Sequence, residues 1–219
     1  MKISIITVVY NREKTIKDCI NSVLCQTHKN VEYIVIDGLS NDGTIEILKS
    51  FEDNIDRFTS EKDNGLYHAM NKGIEVATGE IIGFLHSDDL YYNDNVLSSI
   101  ASKFENNPSL DACYGDMVYV SEINTSRIIR YWKSSPFVQG SFSKGWSPPH
   151  PTFFVSRNIY KKLGGFSLNY NIASDIELMM RYLEVYKIKA EYCHQLWIKM
   201  RLGGISNKNS TNVVRQNLE

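Results

Sequence analysis

The sequence predicts an α/β domain, with a mostly parallel central sheet flanked by helices and all 219 residues in a single unit. Three observations carry this. Ile3–Tyr10, Val31–Ile36 and Ile81–Leu85 are continuous apolar, largely β-branched runs, as in strands buried on both faces. Between them, apolar residues recur at helical spacing. The connections are short, so the order β-α-β-α-β-α-β over residues 1–90 favours parallel pairing with helices on both faces.

The elements follow in order. After the first strand, Asn11 is placed to cap a helix carrying Ile16, Cys19, Ile20, Val23 and Leu24. The second strand ends at Asp37-Gly38. Asn41-Asp42-Gly43 is a turn, and Asp42 can cap a helix with Ile45, Leu48 and Phe51 inward. A short strand around Arg57–Thr59 precedes a helical stripe of Leu66, Ala69, Met70, Gly73, Ile74 and Ala77. The strand at Ile81–Leu85 then runs into Asp88-Asp89, and a helix follows on Val96, Leu97, Ile100 and Phe104. Beyond Asn107-Pro108 the texture changes. Ala112–Val120 and Arg127–Trp132 read as strands, and 134–149 as a long Ser-, Gly-, Pro- and aromatic-rich loop. Ser174-Asp175-Ile176-Glu177 has the form of a capping box opening a helix with Leu178, Met179, Tyr182 and Tyr186. The segment 207–219 is polar.

Composition narrows the class. Hydrophobic content of 42% and charged content of 22% are those of a soluble globular protein. The net charge of -1 divides into -10 over residues 1–126 and +9 over 127–219. That split suggests a metal-binding first half and an anion-binding second half, with scattered surface charge as the alternative. The four cysteines form no Cys-x-x-Cys pair and read as reduced, mostly buried thiols of a cytoplasmic protein. The opening reads as a first strand, not a signal peptide, and no apolar run is long enough to span a bilayer. No basic-aromatic stripe speaks for nucleic acid.

Ligands of open α/β sheets bind at the carboxyl ends of the strands. Asp37, Asp63 and Asp88-Asp89 fall there. Adjacent carboxylates are hard oxygen ligands, suited to Mg²⁺ or Mn²⁺ with a substrate diphosphate completing the shell. An Asp-rich turn or helix cap is the alternative for Asp88-Asp89, and a helix cap for Asp63. No Gly-x-Gly-x-x-Gly or Gly-Lys-Ser/Thr loop is present, which argues against a dinucleotide oxidoreductase and a P-loop ATPase. Asp42-Gly43-Thr44 resembles part of a phosphatase motif, but Ser40 stands at the nucleophile position.

An ordered set of motifs carries a resemblance. It comprises Thr7–Asn11, Asp37–Thr44, Asp63–Gly73, Ser87-Asp88-Asp89, His150–Phe154, Gly164-Gly165-Phe166, Ala173-Ser174-Asp175 and Gly203–Ser206. Over nearly the whole length the chain resembles the inverting family 2 glycosyltransferases of the GT-A fold. The resemblance implies a nucleotide-sugar-binding half (1–107), an acceptor and catalytic-base half (108–206) and a tail. It implies that Thr7, Val9, Tyr10, Asn11 and Asp37 hold base and ribose, with Asp63 beside the base. Lys72 belongs to the same donor-side motif. Asp89 would bind the metal and Asp88 would face the ribose or sugar. Ser87 stands where many relatives carry the first Asp of Asp-x-Asp. Asp175 matches the catalytic base; its alternative is a helix-dipole role, and a helix N-terminus would lower its pKa. His150 is a candidate contact to phosphates, acceptor or metal, or a loop histidine bonded to backbone. Arg201 is a candidate for the diphosphate, or a solvated arginine. Tyr67, Trp132 and Trp146 are candidates for stacking on sugars, or core. The implied reaction is transfer from a nucleotide-sugar, UDP-linked by family frequency, to a glycan or lipid-diphosphate-linked acceptor in cell-surface polysaccharide synthesis. Peripheral contact with the inner face of the plasma membrane would suit the basic second half. A sugar-phosphate nucleotidyltransferase is the first rival, but Tyr10–Lys14 lacks the Gly-rich loop such enzymes carry. A non-catalytic sugar-nucleotide binder is the second.

Overall fold

The computed structural model describes residues 1–203. The motif residues Gly204–Ser206 and the tail 207–219 lie outside the described residues.

The first half forms as its sequence pattern requires. β1 (Ile3–Val9), α1 (Ile16–Leu24), β2 (Val31–Asp37), α2 (Thr44–Lys49), β3 (Arg57–Ser60), α3 (Leu66–Val76) and β4 (Ile81–Phe84) alternate. β1 is buried at every position, as a parallel strand covered on both faces must be. β2 and β4 flank β1 in parallel, and β3 extends the sheet beyond β2.

The second half contributes β5 (Leu90–Tyr91), α4 (Val96–Asn106), β6 (Ala112–Val120), β7 (Ile128–Trp132), β8 (Phe154–Ser156), α5 (Arg157–Leu163), α6 (Ser174–Met180) and β9 (Ala190–Arg201). Among the described residues the sheet runs β3-β2-β1-β4-β8-β6-β9-β5, with β7 paired to β6. Most paired residues sit in parallel ladders, including the long β6–β9 ladder. The antiparallel joins are short: β8 bridges β4 and β6 through two residue pairs on each side. Its Phe154 ring lies where a Cβ on Gly83 would stand, 2.1 Å from the ring edge, so a side chain there would block the join.

Helices cover both faces. α1, α2 and α4 pack on one through Ile16, Ile20, Leu48, Leu97 and Ile100. α3, α5 and α6 cover the other through Met70, Tyr160, Leu178 and Met179.

Several sequence expectations fail for local reasons. Ser174 and Glu177 form no capping box. Ala173 is the N-cap of α6, Ser174 Oγ donates to the Ser167 carbonyl, and Glu177 pairs with Arg181 at 2.7 Å. Asn11 does not cap α1. It sits at φ 52° and exchanges hydrogen bonds with Asn41, tying two loops together. Tyr186 is not on the buried face. A π-turn over Arg181–Val185 shifts the register after α6 and leaves Tyr186 exposed. β5, β8, α5 and β9 have no counterpart in the sequence reading.

Candidate active site

The carboxyl ends of β1, β2 and β4 open into a cleft of about 660 Å³. One wall begins at Val9, which ends β1, at Tyr10 just after it, and at Gly38, which follows β2. Asp37 lies behind that wall, fully buried. Its carboxylate accepts from Ser40 N–H, Ser40 Oγ and Ser60 Oγ. The carboxylate therefore ties down the loop that carries Leu39 at φ 65°, and Asp37 is not among the residues lining the cleft. Thr7 is corrected likewise. It is buried in β1, where its Oγ1 donates to the Leu85 carbonyl and accepts from Tyr33 OH. It braces the strand that delivers Asp88 and Asp89.

Asp63 lines the cleft beside Gly38, and Lys72 does not. Lys72 Nζ sits 2.6 Å from Asp63 and 2.7 Å from Glu61. It anchors the carboxylate from the first turns of α3. Asn11 borders a smaller neighbouring cavity of about 200 Å³, sharing Arg12, Asp88 and Arg201 with the main cleft.

Ser87, Asp88 and Asp89 turn into the cleft after β4. The Arg12 Nε approaches Asp88 at 4.0 Å, a cation the motif reading did not single out. Asp89 is 1% exposed and its Oδ2 has no hydrogen-bond partner. Burial, and then the charge of Asp88, push its carboxyl well above the usual range. A buried carboxylate oxygen left unpaired is costly unless something else meets it. Among the described residues no three His, Cys, Asp or Glu side chains gather as a metal cage. The donor set fits a hard divalent cation that takes one or two carboxylates and finishes its shell with phosphate and water. Arg201, at the end of β9, is buried, not solvated. It pairs with Asp18 at 2.5 Å and leaves Nε unpartnered.

The cleft is also lined by Asp175, from the first turn of α6, and His150, from the loop before β8. Tyr67 OH, from α3, donates to Asp175 Oδ1 at 3.0 Å and also meets the Ile172 carbonyl. Its ring stacks on Phe166. Burial raises the Asp175 carboxyl above its ordinary value, outweighing the helix N–H groups and the Tyr67 hydroxyl. The downward shift expected from the helix end is thus reversed. His150 packs against Phe84, His86 and Phe166, and burial lowers it to about 3, so it is neutral. His86 also lines the cleft and is lowered by burial. Trp132 stacks on Tyr119 and Trp146 packs among Tyr114, Phe137 and Phe142, so neither reaches the cleft wall.

A cleft at the carboxyl ends of parallel strands, lined by an unpaired buried carboxylate and by a second carboxylate braced by a tyrosine, is where an α/β sheet binds its ligand. The family model described as glycosyl transferase family 2 matches residues 4–167, and the chain belongs to that family, with the GT-A architecture. An uncharacterised glycosyltransferase of Mycobacterium tuberculosis (strain ATCC 25618 / H37Rv) is 29% identical over 184 residues, covering 82% of this chain and 68% of the relative. The PGL/p-HBAD biosynthesis glycosyltransferase of Mycobacterium bovis (strain BCG / Pasteur 1173P2) is 26% identical over 208 residues, covering 93% and 78%. Among solved structures, S. aureus TarS 1-349 in complex with UDP-GlcNAc superposes with a TM-score of 0.73 at 19% identity, covering 96% of this chain and 61% of that one. The mannosyltransferase PcManGT from Pyrobaculum calidifontis in complex with GDP-Man and Mn2+ gives 0.66 at 19%, covering 90% and 56%. This chain therefore spans about three-fifths of the length of those structures.

Proposed function

We propose that this chain transfers a sugar from a nucleotide-sugar, UDP-linked in the first instance, to a hydroxyl of a glycan or lipid-diphosphate-linked acceptor, with inversion. The observation that carries the reading is that Asp89 and Asp175 line one cleft. The donor's base and ribose would lie along Val9, Tyr10, Gly38 and Asp63, and its diphosphate toward Asp89, Arg12 and Arg201. TarS with UDP-GlcNAc and PcManGT with GDP-Man support a nucleotide-sugar in such a cleft.

Asp175 would accept the proton of the acceptor hydroxyl as its oxygen bonds to the anomeric carbon and the bond to the diphosphate breaks. One base and one displacement invert that carbon. Tyr67 holds the carboxylate in place through the hydroxyl it donates. Arg12 and Arg201, which line the cleft, would offset charge on the departing diphosphate. A Mg²⁺ or Mn²⁺ ion held by Asp89 would stabilise the same charge as a Lewis acid. A place in cell-surface glycan assembly at the inner face of the plasma membrane fits a lipid-linked acceptor.

The test is nucleoside diphosphate release from a panel of nucleotide-sugars, with a lipid-diphosphate glycan as acceptor. Asp175→Asn is expected to lose 10²–10⁴-fold in turnover, about the range of general-base catalysis, with donor affinity retained. Near-normal turnover in that variant would remove Asp175 as the base.

A further inference from the structure

We propose that the outward face of β7, with its hairpin tip and the start of the following loop, docks on an anionic lipid bilayer. The proposal rests on the lipid-linked acceptor reading for its purpose, not for its test.

Side chains alternate along a strand. In β7, Arg130 and Trp132 turn toward Tyr119 on β6, where the guanidinium lies 4.7 Å from the ring centroid and the indole stacks. Ile129 and Tyr131 therefore point the other way, and they are 48% and 61% exposed. Arg127 and Lys133, which flank the strand, are exposed as well. At the hairpin tip Ile123 is 97% exposed, and Val138 in the next loop is 66% exposed. Between Ile123 and Val138 the chain carries three cations and no carboxylate. Among the described residues β7 pairs with β6 alone, so its outer edge has no strand beside it.

Exposed aliphatic side chains interleaved with cations, and a tyrosine among them, match the interface of an anionic membrane. The apolar groups enter the headgroup boundary, tyrosine sits at that level, and each cation gains from the surface potential. A stable protein–protein interface would instead deplete charge at its centre. The position suits the reaction. β6 runs beside β9, with Val120 opposite Arg201, which lines the cleft. The loop after β7 leads to His150, which also lines the cleft. A bilayer at this face would bring a lipid-borne acceptor to the cleft.

The experiment is co-sedimentation of the full chain with vesicles of phosphatidylcholine alone, and of phosphatidylcholine mixed equally with phosphatidylglycerol, at low and high salt. Binding is expected only to the anionic vesicles and is expected to weaken with salt. Arg127→Gln with Lys133→Gln should weaken it about 25-fold, from roughly a factor of five per cation. Ile129→Ser with Tyr131→Ser should weaken it by roughly tenfold or more by removing apolar insertion. These side chains are exposed, so unfolding should not intervene, and an unchanged melting temperature checks this. Wild-type protein that ignores anionic vesicles, or variants that bind like wild type, would overturn the proposal. So would a dimer seen by light scattering that Ile129→Ser with Tyr131→Ser dissociates. Donor-dependent thermal stabilisation of the same samples reports on the transferase reading separately: its absence, with vesicle binding intact, would sink that reading and leave the surface standing.

Discussion

At the scale of single residues, the candidate base is defined by its neighbours more than by its helix. The titratable groups facing Asp175 are Tyr67 from α3 and His86 from the turn after β4. Burial raises the Asp175 carboxyl, while the Tyr67 hydroxyl, bonded to the charged form, lowers it. A base works ionised, so turnover should fall on the acid side at a pH above the ordinary carboxylate range. Tyr67→Phe removes one donor to the carboxylate. It should move that acidic limb to higher pH and lower kcat more than it changes the donor KM, read from pH–rate profiles of the two proteins. A limb that stays in place, with kcat unchanged, would show that Tyr67 only packs. The motif containing Tyr67 was legible in the sequence, but its role was not. Tyr67 and Asp175 are 108 residues apart, and nothing in spacing brings them together. Asp88-Asp89 was legible because a buried strand stopped abruptly on two carboxylates; Arg12 was missed because a cation after the first strand looks like any solvated one.

At the scale of elements, two contacts set how the sheet and helices register. Glu32 on β2 is buried and accepts from Ser4 Oγ at 2.5 Å, Thr78 N–H at 2.7 Å, Thr78 Oγ1 at 2.6 Å and Lys2 Nζ at 3.2 Å. Burial alone would raise it; these donors outweigh burial and bring it down to about 2. A carboxyl depressed on folding contributes stability above its unfolded value, and that stability is lost as pH falls toward 2. Glu32→Gln turns a donor toward donors and should cost about 2–3 kcal/mol at neutral pH. In urea titrations the gap from wild type should close between pH 4.5, the ordinary value, and about 2; a pH-independent gap would refute the assignment. Gly73 on α3 is the second contact, since a Cβ there would lie 2.4 Å from Ile6 Cγ2 on β1. Gly73→Ala gains about 1 kcal/mol of helix propensity. It loses about 1–3 kcal/mol to overpacking against a buried, stiff side chain. The net should be destabilising, a melting point lower by a few degrees; a rise would mean α3 can shift. The parallel half was legible because each of its strands is locally apolar and each helix amphipathic. β9 was not, because its ladder with β6 is interrupted by register shifts that break the alternation. The α6 cap misled for a related reason: Ser174 found a tertiary partner in Ser167, and that partner won over the local motif.

At the scale of the whole molecule, the charge asymmetry of the halves resolves into local sites. Of the acidic first half, Asp63, Asp88 and Asp89 reach the cleft, while Glu32 serves the opposite end of the sheet. Of the basic second half, Arg201 turns inward, Arg181 pairs with Glu177, and the hairpin cations stay exposed. What joins the two halves is one continuous sheet, and the cleft at its edge draws Val9 from β1, Tyr10 just after it, Asp89 from the turn after β4 and Arg201 from β9. A ligand bound across those elements stabilises only the folded chain, by about 2.7 kcal/mol at a hundred times its dissociation constant. For a domain of this size that is about 5–10 °C in melting temperature. UDP should give such a shift with Mn²⁺ present and a much smaller one without it, because the unpaired Asp89 oxygen fits the cation and not the nucleotide. Asp89→Ala should erase the Mn²⁺-dependent part. It should not lower the melting temperature of the free protein by much, since the variant removes a buried carboxylate whose desolvation nothing on Oδ2 offsets. A variant that melts well below wild type, yet still shows the Mn²⁺-dependent shift, would mean that Asp89 is a structural carboxyl and that the cation is held elsewhere in the cleft.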